Sequence, residues 1–127
     1  MAEPAERTPL VVVADDERDI VDLVAILLER AGYGVATARE GRRALELVRE
    51  RAPVLCILDG MMPGLAGFEV LGEIRADAAT ADVPVLILTA TVDEEREIRR
   101  YGVEPEGFMK KPFESDRLLA EVTRLVG

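Results

Sequence analysis

The chain contains no histidine and no tryptophan, and only one cysteine. Without histidine there is no Ser-His-Asp triad, no imidazole-ligated metal and no phosphohistidine relay within the chain. A single cysteine, Cys56, excludes an internal disulfide and a thiolate metal cage. It sits in the apolar run Val54-Leu55-Cys56-Ile57-Leu58, where it reads as a small core residue. No apolar stretch is long enough to span a membrane, and the first ten residues carry no run of signal-peptide length. A cytoplasmic setting is the expectation. Basic residues are also short: 16 Lys and Arg face 25 Asp and Glu, a net charge of −9. Such a chain repels nucleic-acid phosphates, so direct nucleic-acid binding is not expected.

What the chain does have is an ordinary globular composition, 49% hydrophobic and 32% charged over 127 residues. This suits one domain. Residues 1–8 read as a flexible N-terminal segment and 9–127 as a single domain. Leu10–Ala14 is a β-branched run typical of a strand buried on both faces. Ile20, Leu23, Val24, Leu27, Leu28 and Ala31 then recur at helical spacing, and Gly32 stops the helix. Further strands are expected at Tyr33–Thr37, Val54–Leu58, Val85–Thr89 and Gly107–Lys110. Helices are expected at Arg42–Arg51, around Phe68, Leu71 and Ile74, over Asp93–Tyr101, and across Leu118, Leu119, Val122, Leu125 and Val126.

Five alternating strand–helix units imply an α/β fold with a parallel sheet covered on both sides. The flavodoxin-like doubly wound three-layer order, 2-1-3-4-5, is expected. Its ligand site lies beyond the carboxyl ends of the strands, between the first and third. At that edge the first strand ends in Asp15-Asp16, the third in Asp59 and the fourth in Thr89, and the fifth leads into Lys111. Each residue has a plain alternative: Asp15 or Asp16 as a helix cap, Asp59 as a turn residue, Thr89 as a strand residue, Lys111 as a solvated lysine. Their convergence at one edge favours a shared site. Three crowded carboxylates raise at least one pKa unless a divalent cation joins them. An oxygen-only donor set suits Mg²⁺ or Mn²⁺ rather than Zn²⁺, and a carboxylate beside such an ion is a competent nucleophile for phosphoryl transfer.

The ordered set Asp15-Asp16, Asp59 followed by Met62-Pro63, Thr89-Ala90 and Lys111-Pro112-Phe113 resembles the receiver domain of two-component response regulators, over about Leu10 to Val126. The resemblance implies that Asp59 accepts a phosphoryl group from a histidine kinase or histidine phosphotransfer protein. It implies Mg²⁺ held by Asp16, Asp15, Asp59 and the Met61 backbone carbonyl. It implies Lys111 and Thr89 as the groups that meet the phosphoryl oxygens, Phe108 as the aromatic switch, and a cis Lys111–Pro112 bond. Output would pass to a partner protein or an effector domain. The domain would be a phospho-accepting switch that promotes its own phosphorylation and dephosphorylation rather than a classical enzyme.

Two departures stand out. Ala66 precedes Gly67 where the family often has Asp. Gly102-Val103-Glu104-Pro105-Glu106-Gly107 replaces the Gly-Ala-Asp-Asp-like turn before the switch aromatic. A fourth helix that ends early, at Tyr101, is therefore expected, and with it a monomer or weak dimer. Two rivals on other grounds fare worse. A haloacid-dehalogenase-type phosphatase needs an acid where Met61 stands, and a flavin domain needs a phosphate loop where Asp15-Asp16-Glu17 would repel one.

Overall fold

The computed structural model describes residues 8–90 and 93–127; the expected flexible segment at 1–8 lies, but for Thr8, outside the described residues. Five strands, β1 (Leu10–Ala14), β2 (Gly34–Ala38), β3 (Leu55–Leu58), β4 (Val85–Thr89) and β5 (Gly107–Lys110), alternate with five helices, α1 (Arg18–Arg30), α2 (Gly41–Arg51), α3 (Gly67–Ala76), α4 (Glu94–Tyr101) and α5 (Ser115–Val126). All strand pairs are parallel, in the order β2-β1-β3-β4-β5, as the alternation of apolar runs and helical periods requires.

The core follows strand parity. Val12, Ala14, Cys56, Leu58, Val85 and Ile87 face α2 and α3, meeting Ala44, Val48, Phe68, Leu71 and Ile74. Val11, Val13, Leu55, Ile57, Leu86 and Leu88 face α1 and α5, meeting Val24, Leu28, Leu118 and Val122. Both faces of β1, β3 and β4 are therefore covered, which is why their sequences are apolar at every position rather than at alternate ones.

Boundaries shift by one residue at several places, β2 ending at Ala38, α2 beginning at Gly41 and α4 at Glu94, and two further shifts have local reasons. Tyr33 is not the first strand residue. Its N–H donates to the Leu28 carbonyl at 3.0 Å and that of Gly32 to Glu29 at 3.1 Å, with Gly32 at φ +100°, so Tyr33 closes α1 in a Schellman turn. Likewise the N–H of Val54 donates to the Leu10 carbonyl at 2.9 Å, but the strand begins one residue later, at Leu55. The early end of α4 is as expected. Gly102, at φ +71°, donates to Ile98 at 2.8 Å, and Asp93 caps the other end by accepting from the Arg96 N–H at 3.2 Å. The inward side of α4 is richer than Ile98 alone: the Tyr101 ring stacks on Phe68, centroids 6.4 Å apart.

Candidate functional site

Hydrogen bonds that continue the sheet beyond its strand ends bring the site together. The N–H of Asp15 donates to the Ala38 carbonyl at 3.2 Å, that of Asp59 to Ala14 at 2.9 Å, and that of Lys111 to Thr89 at 3.0 Å. The parallel ladder thus sets Asp15 and Asp59 side by side on neighbouring strands, with Thr89 and Lys111 on the next pair. The loop after Asp59 is held close by Gly67: a Cβ there would lie 2.4 Å from the Asp59 carbonyl oxygen, so only glycine lets α3 start against the site. The Lys111–Pro112 bond is cis. Ala66 offers no capping side chain, and the start of α3 is held instead by the Glu69 carboxylate, which accepts from the Ala66 N–H at 2.8 Å.

Carboxylate oxygens of Asp15, Asp16 and Asp59 lie within 4.8 Å of one another. Asp15 and Asp59 are buried, Asp16 exposed. Each buried acid has a local amide partner. Asp15 accepts from the Glu17 N–H at 2.9 Å and Asp59 from the Met61 N–H at 3.2 Å, both Asx-type turns. The Lys111 ammonium, its side chain 9% exposed, lies 2.6 Å from Asp15, 3.1 Å from Glu17 and 3.4 Å from Asp59. Burial alone would depress its pKa. The hydrogen bonds to Asp15 and Glu17, with the charge of Asp59, outweigh that and leave it raised.

The cost of crowding falls on Asp59. Its carboxyl is pushed up from 3.8 to about 6, first by burial and further by the neighbouring Asp15, while the Met61 amide and Lys111 pull the other way. Thr89 is also buried, and its hydroxyl finds no hydrogen-bond partner among the described residues. Phe108 is half-buried and rests against the α2–α3 side of the core. Asp15, Asp16, Asp59 and Lys111 thus line one cleft, with Thr89 buried at the end of the adjoining strand. Cys56, fully buried with its thiol pKa raised, is core as expected.

Two residues were missed. Glu17 reaches Lys111, and Arg39, at the end of β2, donates from its guanidinium to the Asp16 carbonyl at 3.3 and 3.4 Å. The available signals were the third acid in the Asp15-Asp16-Glu17 run and the position of Arg39 at the same sheet edge.

The sequence matches the family model described as response regulator receiver domain over residues 11–123, most of the chain and every strand. It is a receiver domain. Among its curated relatives, the DNA-binding dual master transcriptional regulator RpaA of Synechocystis sp. is 38% identical over 118 residues, covering 93% of this chain and 49% of the relative. The phosphate regulon transcriptional regulatory protein PhoB of Pseudomonas aeruginosa is 33% identical over 112 residues, 88% of this chain and 49% of the relative. The receiver domain therefore spans about half the length of these relatives. Among solved structures, the chemotaxis response regulator CheY4 of Vibrio cholerae superposes with a TM-score of 0.83 at 32% identity, covering 93% of this chain and 98% of that one. The receiver family is a family of switch domains in two-component signalling, and the acidic cleft of this member has the oxygen donors that a hard divalent cation takes. No helix among the described residues is long and apolar enough to cross a membrane.

Proposed function

We propose that this domain, residues 9–127, accepts a phosphoryl group on Asp59 from a histidine kinase or a histidine phosphotransfer protein. The observation that carries this reading is Asp59, its pKa raised, 3.4 Å from the half-buried Lys111 ammonium, with a buried Thr89 hydroxyl that has no partner among the described residues at the end of the adjoining strand. A carboxylate oxygen of Asp59 forms the new P–O bond as the donor's P–N bond breaks, and the departing imidazole takes a proton. Lys111 donates to one phosphoryl oxygen and the Thr89 hydroxyl to another. That hydroxyl lacks a partner beforehand, so its move toward the phosphoryl group gives up no hydrogen bond to the described residues. Phe108 follows by filling the space that Thr89 leaves, and the phosphorylated state is then favoured by contacts absent before.

Oxygen donors alone, within 4.8 Å, fit Mg²⁺, and Mn²⁺ as well. Asp16, exposed at the cleft mouth, would hold the cation directly, with Asp15, Asp59 and the Met61 carbonyl completing the protein's share. When bound, the cation neutralises the crowded carboxylates and the charge on the incoming phosphoryl oxygens. The domain is a switch that promotes its own phosphorylation and dephosphorylation, not a turnover enzyme. It works in the cytoplasm as a monomer or weak dimer, touching neither membrane nor nucleic acid itself, and passes its state to a partner protein or an effector domain. The polar outer side of α4, with no residue buried, supports the weak self-association.

Incubation with acetyl phosphate and Mg²⁺, read by intact-mass spectrometry, tests this. One phosphoryl group is expected on the wild type, none in EDTA and none on Asp59→Asn. Equal labelling of the variant would overturn the assignment.

A further inference from the structure

Glu17 occupies the N-cap position of α1, with φ −88° and ψ 111°, yet its side chain makes no capping bond. Glutamate is one methylene too long for that task. The carboxylate instead crosses the cleft to Lys111, 94 positions away in the chain, at 3.1 Å. The ammonium has three donors, and three carboxylates share them at 2.6, 3.1 and 3.4 Å. The longest contact is the one to Asp59. Asp15 and Asp59 are fixed by backbone ladder bonds and local amides. Glu17, its side chain 63% exposed, is the partner that can let go.

We infer that Glu17 is a positioning residue for Lys111, holding the ammonium on the Asp15 side of the cleft and drawing it off Asp59 until the phosphoryl group arrives. The inference rests on the proposed roles of Asp59 and Lys111. Phosphorylation brings new anionic oxygens to Asp59, and the ammonium turns to them by releasing Glu17. Losing the Glu17 carboxylate therefore places Lys111 nearer its working position from the start. The effect is small because the pair is open to solvent on the Glu17 side.

The chain has only two lysines, Lys110 and Lys111, so ¹³C-lysine labelling gives two side-chain signals, assigned with Lys110→Arg. In metal-free protein, both Glu17→Gln and Glu17→Asp should shift the Lys111 signal and leave that of Lys110 in place. The aspartate keeps the charge but is one methylene too short for the contact. With Mg²⁺ and acetyl phosphate, both variants should label Asp59 about threefold faster than wild type. An unmoved Lys111 signal overturns the inference. So does acceleration by Glu17→Gln alone, because an effect of charge without contact is repulsion of the anionic donor. A wild type that takes no label at all would sink the phospho-acceptor reading, and the lysine signals would still decide the position of Lys111.

Discussion

The two ends of the sheet each carry a polar cluster that ties several elements together, and they are built to opposite rules. At the amino-terminal end, the Arg75 guanidinium at the end of α3 donates to the Ala81 and Val83 carbonyls at 3.2 and 2.9 Å and pairs with Glu106. The same Glu106 oxygen accepts the N–H of Val85 at 2.8 Å, and its carbonyl accepts from Arg124 at 3.2 Å. Every charge there has an opposite partner, so the cluster is closed. At the carboxyl-terminal end, carboxylates outnumber the one ammonium, Asp59 carries a raised pKa, and the Thr89 hydroxyl is buried with no partner among the described residues. Buried polar groups are normally satisfied, so an end left open marks where something else is meant to bind. The closed cluster supplies rigidity, and the open one holds the capacity for change.

Breaking the closed end should produce the largest loss of stability. Arg75→Ala removes the guanidinium donor from the Ala81 and Val83 carbonyls and leaves the Glu106 carboxylate with the Val85 N–H but no cation, and should cost about 2 kcal/mol in a denaturant melt. Asp59 labelling should stay within about twofold of wild type. A large fall in labelling would mean that the two ends are mechanically coupled.

Substitutions in the open end should act in the other direction. The folded pKa of Asp59, about 6, lies above its ordinary 3.8, so the native state binds the proton more tightly than the unfolded chain. The stability this contributes is fully present below about pH 4 and lost as pH rises through about 6. In EDTA at pH 7.5, Asp59→Asn should therefore be more stable than wild type by on the order of 1 to 2 kcal/mol. The gap should close as pH falls through about 6, read as paired thermal melts. A gap that widens toward low pH would show the sign to be wrong. The smallest effect is expected at Thr89. Thr89→Val removes an unpartnered buried hydroxyl at nearly constant volume and should stabilise the phosphate-free domain by up to about 1 kcal/mol. Destabilisation would mean that the hydroxyl is bonded before phosphorylation.

The open end was far easier to read in the sequence than the closed one. Asp15, Asp59 and Thr89 each follow a β-branched apolar run, and a parallel sheet delivers all its strand ends to one edge, so the run and the fold together locate them. The end of α4 was legible for a similar local reason, since Gly102 and Pro105 both oppose a helix. Glu106 offers no such signal. Its partners Arg75 and Val85 lie 31 and 21 positions back, and nothing in the spacing links them. Glu17 and Arg39 were hidden for a related reason, because long side chains cross from one loop to another at angles that only the folded backbone sets. The sequence also showed that crowding must raise a carboxyl pKa without showing which. Burial decides for Asp59.

Three carboxylates lie within 4.8 Å, so the account stands or falls on which of them takes the phosphoryl group. Borohydride reduces an aspartyl phosphate to homoserine, leaving a permanent mark at the acceptor. After treatment with acetyl phosphate and Mg²⁺, tandem mass spectrometry of the peptides should find homoserine at position 59, with Asp15 and Asp16 unchanged. Homoserine at position 15 or 16, with Asp59 intact, would contradict it.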